Sequence, residues 1–131
     1  MDYELEIKKE DTYLHVRAVG QRTRHTIAAI ARDVLEACRK YRIYYIVADI
    51  RELSGEMGIF DSMLIVTKEF PKLNADNVVK RLAIINPRNR HERSRFFAQL
   101  AVKRGYPVKL FEDLEPAIEW IKVKESVSNK V

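Results

Sequence analysis

The stretch Arg81–Ile121, RLAIINPRNRHERSRFFAQLAVKRGYPVKLFEDLEPAIEWI, decides the fold class. Leu82–Ile85 is a short apolar run halted by Asn86–Pro87, as expected of a strand buried on both faces of a parallel sheet. Asn89, followed three residues later by Glu92, is a capping-box start for a helix carrying Phe96, Phe97, Leu100 and Ala101. Gly105 closes that helix, and Pro107–Phe111 reads as the next strand. Asp113 then opens a last helix bearing Leu114, Ala117, Ile118 and Ile121. Strand, helix, strand, helix in succession implies parallel strands joined by right-handed crossovers.

Working outward, Tyr3–Lys9 alternates, with Tyr3, Leu5 and Ile7 on one face and Glu4, Glu6 and Lys8 on the other. Thr12–Val19 sets Leu14, Val16 and Ala18 against Tyr13, His15, Arg17 and Val19. Glu10–Asp11 joins the two runs into an antiparallel hairpin. After the polar joint Gly20–Thr26, a helix to about Tyr41 aligns Ile27, Ile30, Val34, Cys38 and Tyr41 on one stripe. Tyr44–Ile50 is a strand and Arg51–Gly58 a loop. Ile59, Met63, Val66 and Phe70 mark a further helical stripe that Pro71 is expected to stop. The order β-β-α-β-α-β-α-β-α describes an α/β domain built on a five-stranded mixed sheet. Its N-terminal edge strand is antiparallel, and the helices are expected to lie mainly on one face. Residues 1–122 are expected to form this single domain and 123–131 a frayed tail.

Of the 131 residues, 47% are hydrophobic and 33% charged, an ordinary composition for a globular chain. One cysteine rules out an internal disulfide framework and fits a reducing compartment. The start MDYELEIKKE holds no apolar signal core, and no window approaches the ~18 apolar residues of a spanning helix. A cytoplasmic location is the expectation. The net charge of +5 is unevenly spread. Lys80, Arg81, Arg88, Arg90, Arg93, Arg95, Lys103 and Arg104 face the lone acid Glu92, whereas the first thirteen residues are acidic.

In three features together the chain resembles the SpoIIAA-like group within the STAS, anti-sigma-factor-antagonist-related superfamily. These are IVADIREL with Asp49 (Ile46–Leu53), RLAIINP (Arg81–Pro87), and the closing pattern Phe111, Asp113, Ala117, Trp120. The resemblance spans nearly the whole chain and implies an anti-sigma-antagonist type of fold. It also implies a non-enzymatic, regulatory role in binding another protein, such as a switch kinase or a sigma-regulating factor. Better-known relatives are switched by phosphorylation at an Asp-Ser-Ser-Gly motif opening the second helix. Here the corresponding stretch is Asp61-Ser62-Met63-Leu64. Asp61 and Ser62 match, and the second serine and the glycine are missing.

If the last four strands are parallel, their carboxyl ends share one edge, outside which ligands of open α/β sheets bind. The loops arriving there carry Arg22, Arg24, His25, Arg88, Arg90 and His91 close to helix starts, whose free N–H groups suit an anion. The second reading is therefore a domain binding a small anion (phosphate, nucleotide or lipid headgroup), centred on Arg88–His91. Against it, Arg51, Glu52, Glu56 and Asp61 arrive nearby, and the acids can pair with the arginines. A phosphate on Ser62 would meet a helix start, although Asp61 or Ser62 is equally apt as a plain first-turn residue.

Other classes have less behind them. His15, His25, His91 and Cys38 show no metal-ligand spacing, and no glycine-rich phosphate loop or nucleophile motif is present, so no cofactor is expected. Asp49, at a strand end, could act as a general base or simply pair with an arginine. Nucleic-acid binding would use Arg88–Arg104, but Phe96 and Phe97 share a helical register with Leu100 and read as core. No helix combines a basic face with a broad apolar one, which ranks a membrane surface lower. The first strand, with one edge free, is a candidate homodimer contact.

Overall fold

The computed structural model describes residues 3–86 and 91–123, with 91–94 described by backbone alone. The expected cap at Asn89 and the tail 124–131 lie outside the described residues. Strands β1 (Tyr3–Lys9), β2 (Leu14–Gln21), β3 (Tyr45–Ser54), β4 (Arg81–Ile85) and β5 (Val108–Phe111) form one sheet in the order β1-β2-β3-β4-β5. β1 pairs antiparallel with β2, and β2 to β5 run parallel. Four carboxyl ends therefore meet at one edge, as the crossover rule demands.

Helices divide unequally between the faces. Helix α1 (Arg24–Tyr41) buries Ile30, Val34 and Cys38 against Leu14, Val16, Ala18 and Ile46. Its start is capped by Thr23, whose hydroxyl accepts from the Thr26 amide at 3.1 Å. On the same face, α4 (His91–Lys103) packs Ala98 and Ala101 against Ile84 and Val108. Gly105, at φ +88°, then turns the chain, and the Tyr106 amide reaches back to the Ala101 carbonyl at 3.0 Å. The opposite face carries α5 (Leu114–Lys122), with Ala117 and Ile121 against Val47, Ala83 and Ile85.

Between β3 and β4 the chain forms α2 (Ile59–Leu64), a π-helical turn (Ile65–Glu69) and α3 (Phe70–Leu73). Pro71 does not stop this segment, contrary to expectation. It has no N–H and would collide with the carbonyl four residues back. The helix relieves that by widening first, and the Phe70 amide bonds the Ile65 carbonyl, five residues away. The Thr67 hydroxyl also donates to the Met63 carbonyl at 2.6 Å, a contact that bends helices.

Two further details depart from the sequence pattern. β3 runs on to Ser54, because Val19–Gln21 of β2 resume pairing with Glu52–Ser54 past a register shift. There β3 holds one residue more than β2, and the Arg51 amide donates to Asp49 Oδ1 at 3.1 Å. Tyr13, placed by alternation on the outer face, is buried, because α5 covers that end of the sheet.

The carboxyl edge is tied together by Arg22. Its Nη2 donates to the Ile50 and Leu53 carbonyls, both at 3.3 Å, and to Asn86 Oδ1 at 3.0 Å. The Arg22 amide donates to the Ser54 carbonyl at 2.8 Å, and the fully buried Asn86 donates through its amide to the Phe111 carbonyl at 2.9 Å. Arg22→Met keeps much of the aliphatic stem but loses these charge-assisted bonds, so urea denaturation should show a loss of about 2–3 kcal/mol. Arg22→Lys keeps a cationic donor on a shorter side chain, so it should restore only part. No loss of stability in Arg22→Met would contradict the clasp.

Cys38 is fully buried on α1, and burial pushes its thiol up to about 11 from its ordinary 9.0. A hundredfold scarcer thiolate makes it inert. Iodoacetamide at pH 8 should alkylate the folded protein at least about 100-fold more slowly than the urea-unfolded chain. Equal rates would place Cys38 at the surface.

Candidate functional site

Of the residues expected to form an anion rim, the structure describes the side chains of Arg22, Arg24 and His25. Arg22 is held to the sheet edge by the contacts above. Arg24 faces two acids, its Nε 3.6 Å from Asp61 Oδ1 and its Nη1 3.4 Å from Glu69 Oε2. It therefore joins the start of α1 to α2 and the π turn. His25 is exposed on α1. Arg88 and Arg90 lie outside the described residues, and His91 opens α4 with no side chain described.

Asp49 belongs to the sheet's other architecture. Arg51 grips its carboxylate with Nε at 2.9 Å and Nη2 at 2.7 Å. Burial by itself would raise the Asp49 carboxyl, but the hydrogen bonds from the Arg51 side chain and amide prevail and hold it below its ordinary 3.8. Asp49 is thus an ionised partner at the register shift, poorly suited to accept a proton at neutral pH. A lowered carboxyl contributes stability that is present above its unfolded value and lost as pH falls through the folded one. In Arg51→Met the side-chain hydrogen bonds are lost and the desolvation by burial, which raises the carboxyl, is no longer outweighed by them. The variant should lose about 1–2 kcal/mol at pH 7. That deficit should narrow as pH falls below about 4, where Asp49 is protonated in the unfolded chain. A deficit constant from pH 7 to pH 3 would refute the pairing.

Two features that the sequence did not display lie at α2. Ile59, Phe60 and Met63 are 58%, 71% and 44% exposed, a run of large apolar side chains on one short helix. Scattered apolar residues on a surface need no explanation, but three together on one element make a candidate interaction surface. Ile59 and Met63 were expected to share one helical stripe with Val66 and Phe70. Instead Ser62, Ile65 and Val66 point inward and are buried. The Ser62 hydroxyl is therefore not presented to solvent.

Beneath α2 lies the second feature, a cavity of about 180 Å³. Its floor is the sheet face carrying Ala48, Ile50 and Ile84, its walls are α1 and the Phe97 turn of α4, and its roof includes Ser62 and Phe70. Arg22, Glu56 and Met57 lie along it on the carboxyl edge of the sheet. Ala48 and Ile50, in the middle strand on the helix-covered face, are only half-buried, because no described side chain fills the space above them. Phe70 anchors the roof through edge-on contacts with Phe97 and Tyr106, both with ring centres 6.0 Å apart.

No protein-family model and no curated protein matches the chain. Solved structures do. An uncharacterised protein of the DUF3478 family with a SpoIIAA-like fold, from Shewanella loihica PV-4, aligns at TM-score 0.58 and 24% identity, covering 91% of this chain and 93% of its own. The chain has the SpoIIAA-like fold. An anti-sigma factor antagonist from Mycobacterium paratuberculosis aligns at TM-score 0.60 and 14% identity over 92% of this chain and 95% of that one. A substituted form of RsbS from Moorella thermoacetica aligns at TM-score 0.56 and 16% identity over 90% and 94%. The expected mixed sheet with its antiparallel edge strand is the observed one. Among the described residues no helix is long and apolar enough to cross a membrane, and no group of three His, Cys, Asp or Glu side chains could hold a metal ion.

Proposed function

We propose that this protein is a non-enzymatic regulatory module that binds another protein through α2 and the neighbouring loop that ends at Gly58. The observation that carries this is the exposed apolar run Ile59, Phe60 and Met63, which nothing in the chain covers among the described residues. Short exposed helices with two or three apolar anchors suit a hydrophobic groove on a partner. The SpoIIAA-like fold, shared with a protein named as an anti-sigma factor antagonist, supports a partner of the switch-kinase or sigma-regulating kind. The position of Ser62 shapes how such a partner would be controlled. A phosphate there adds roughly −1.5 to −2 charges to a hydroxyl that now faces an apolar interior, so its addition requires the roof to open.

The test is capture of the partner from the cell of origin by the tagged full chain, followed by affinity measurements on the partner identified. Phe60→Asp with Met63→Asp should weaken binding at least about tenfold, as loss of interface anchors does. Both sites are exposed, so the unfolding midpoint should shift by no more than about 0.5 kcal/mol. A partner retained equally by the double variant would move the interface elsewhere.

A further inference from the structure

We infer that the cavity beneath α2 is a binding site for a compact, uncharged apolar molecule, and that its occupancy controls how the α2 face is presented to the partner. The second half rests on α2 being the docking face; the first half stands without it. Size and lining define the ligand class. An apolar cavity of about 150 Å³ stays dry and takes up benzene, and this one measures about 180 Å³. Drug-sized ligands occupy about 300–1,000 Å³, so the occupant is a single ring or a short branched hydrocarbon group. Ile30, Val34, Ile46 and Ile84 supply carbon surface. The charged lining residues, Arg22 and Glu56, lie at the carboxyl edge, and Arg22 already donates to the Ile50 and Leu53 carbonyls and Asn86 Oδ1. The apolar surface deeper in therefore offers a charge no matched partner. Ser62 gives the roof one hydroxyl, enough to orient a ligand carrying a single polar atom.

The roof is built to respond to what lies under it. α2, the π turn and α3 form one fifteen-residue helical run, residues 59–73, no longer than the length at which an isolated helix is marginal, so its order depends on packing. Besides the backbone it is tied down by the buried Ile65 and Val66, by the Arg24 ion pairs with Asp61 and Glu69, by the Arg39 guanidinium on the Leu73 carbonyl at 3.1 Å and by the Phe70 ring contacts. Ser62 and Phe70 line the cavity while Ile59, Phe60 and Met63 face outward from the same segment. A ligand that completes the packing beneath Ser62 and Phe70 therefore fixes the orientation of the three outer side chains. Where related switches add a phosphate at this helix, the inward-facing serine here suits control by a ligand from below.

Benzene is the probe, added to the full-length protein and followed by amide NMR. The expected result is saturable shifts at cavity positions such as Val16, Ala48 and Ile84 and at residues 59–73. At ten times its dissociation constant, benzene should slow amide exchange of the roof about tenfold. Ala48→Phe, which fills the space, should abolish the shifts and slow roof exchange without benzene; Ala31→Leu serves the same purpose if the larger ring prevents folding. Phe60→Asp should bind benzene as the parent does, which separates failure of the cavity from failure of the docking face. No saturable shift, unchanged uptake in the filled variants, or uptake with no change in roof exchange would each overturn the inference.

Discussion

The Arg22 guanidinium holds together an edge on which every functional feature depends. Parallel strands bring four carboxyl ends side by side, and their last carbonyls would otherwise compete for water. One fork of donors reaches two carbonyls of β3 and the buried Asn86 at the end of β4, which in turn bonds the end of β5. Arginine suits this position because its planar donors can serve several acceptors at once while its stem lies on apolar surface. The loop from β3 to α2 departs from this edge. With the edge fixed, α2 lies over the sheet with its start near Arg22 and the cavity below.

Those elements whose pattern is local could be read directly from the sequence. The hairpin alternation, the α1 stripe with Cys38 inside, the Gly105 stop and the Asp113 start all correspond to observed features. Features set by distant partners could not. β3 is longer than its apolar run because β2 offers it a partner again past the register shift. Tyr13 turns inward because a helix a hundred residues away covers it. Both are cases of tertiary packing overriding an alternation that, taken alone, was correctly identified.

The site was harder to read than the fold, and the reason is rotational. Ile59, Met63, Val66 and Phe70 lie on a single stripe only if the helix keeps 3.6 residues per turn. The π turn inserts about one residue, which rotates the stripe by about 100° between its two halves. Val66 and Phe70 keep the inner side, while Ile59 and Met63 move to the outer side and Ser62 comes in. The signal was present as Pro71, whose missing donor and bulky ring forbid an undisturbed helix. A stop and a widening leave the same mark in a sequence. The arginines illustrate the complementary difficulty: their clustering was visible, but whether Arg24 faced a ligand or Asp61 and Glu69 depended on where α2 came to lie.

The roof combines an exposed apolar outer face, an underpacked inner one and a helix interrupted by a π turn. Each of these weakens the fold. The underpacked space beneath the roof gives up dispersion contacts, against a net of roughly 5–15 kcal/mol that holds a domain of this kind together. The Arg24 ion pairs, half-exposed, contribute only about 0.2–1 kcal/mol each. A cover so lightly held belongs to the low-stability end of the structure, where binding elements and moving parts are found. Such costs could be removed by single substitutions, a larger side chain at Ala48 or a polar one at Phe60. Coexisting in one fifteen-residue segment, they are better explained by use than by accident, since mutational drift alone would scatter such defects through the domain.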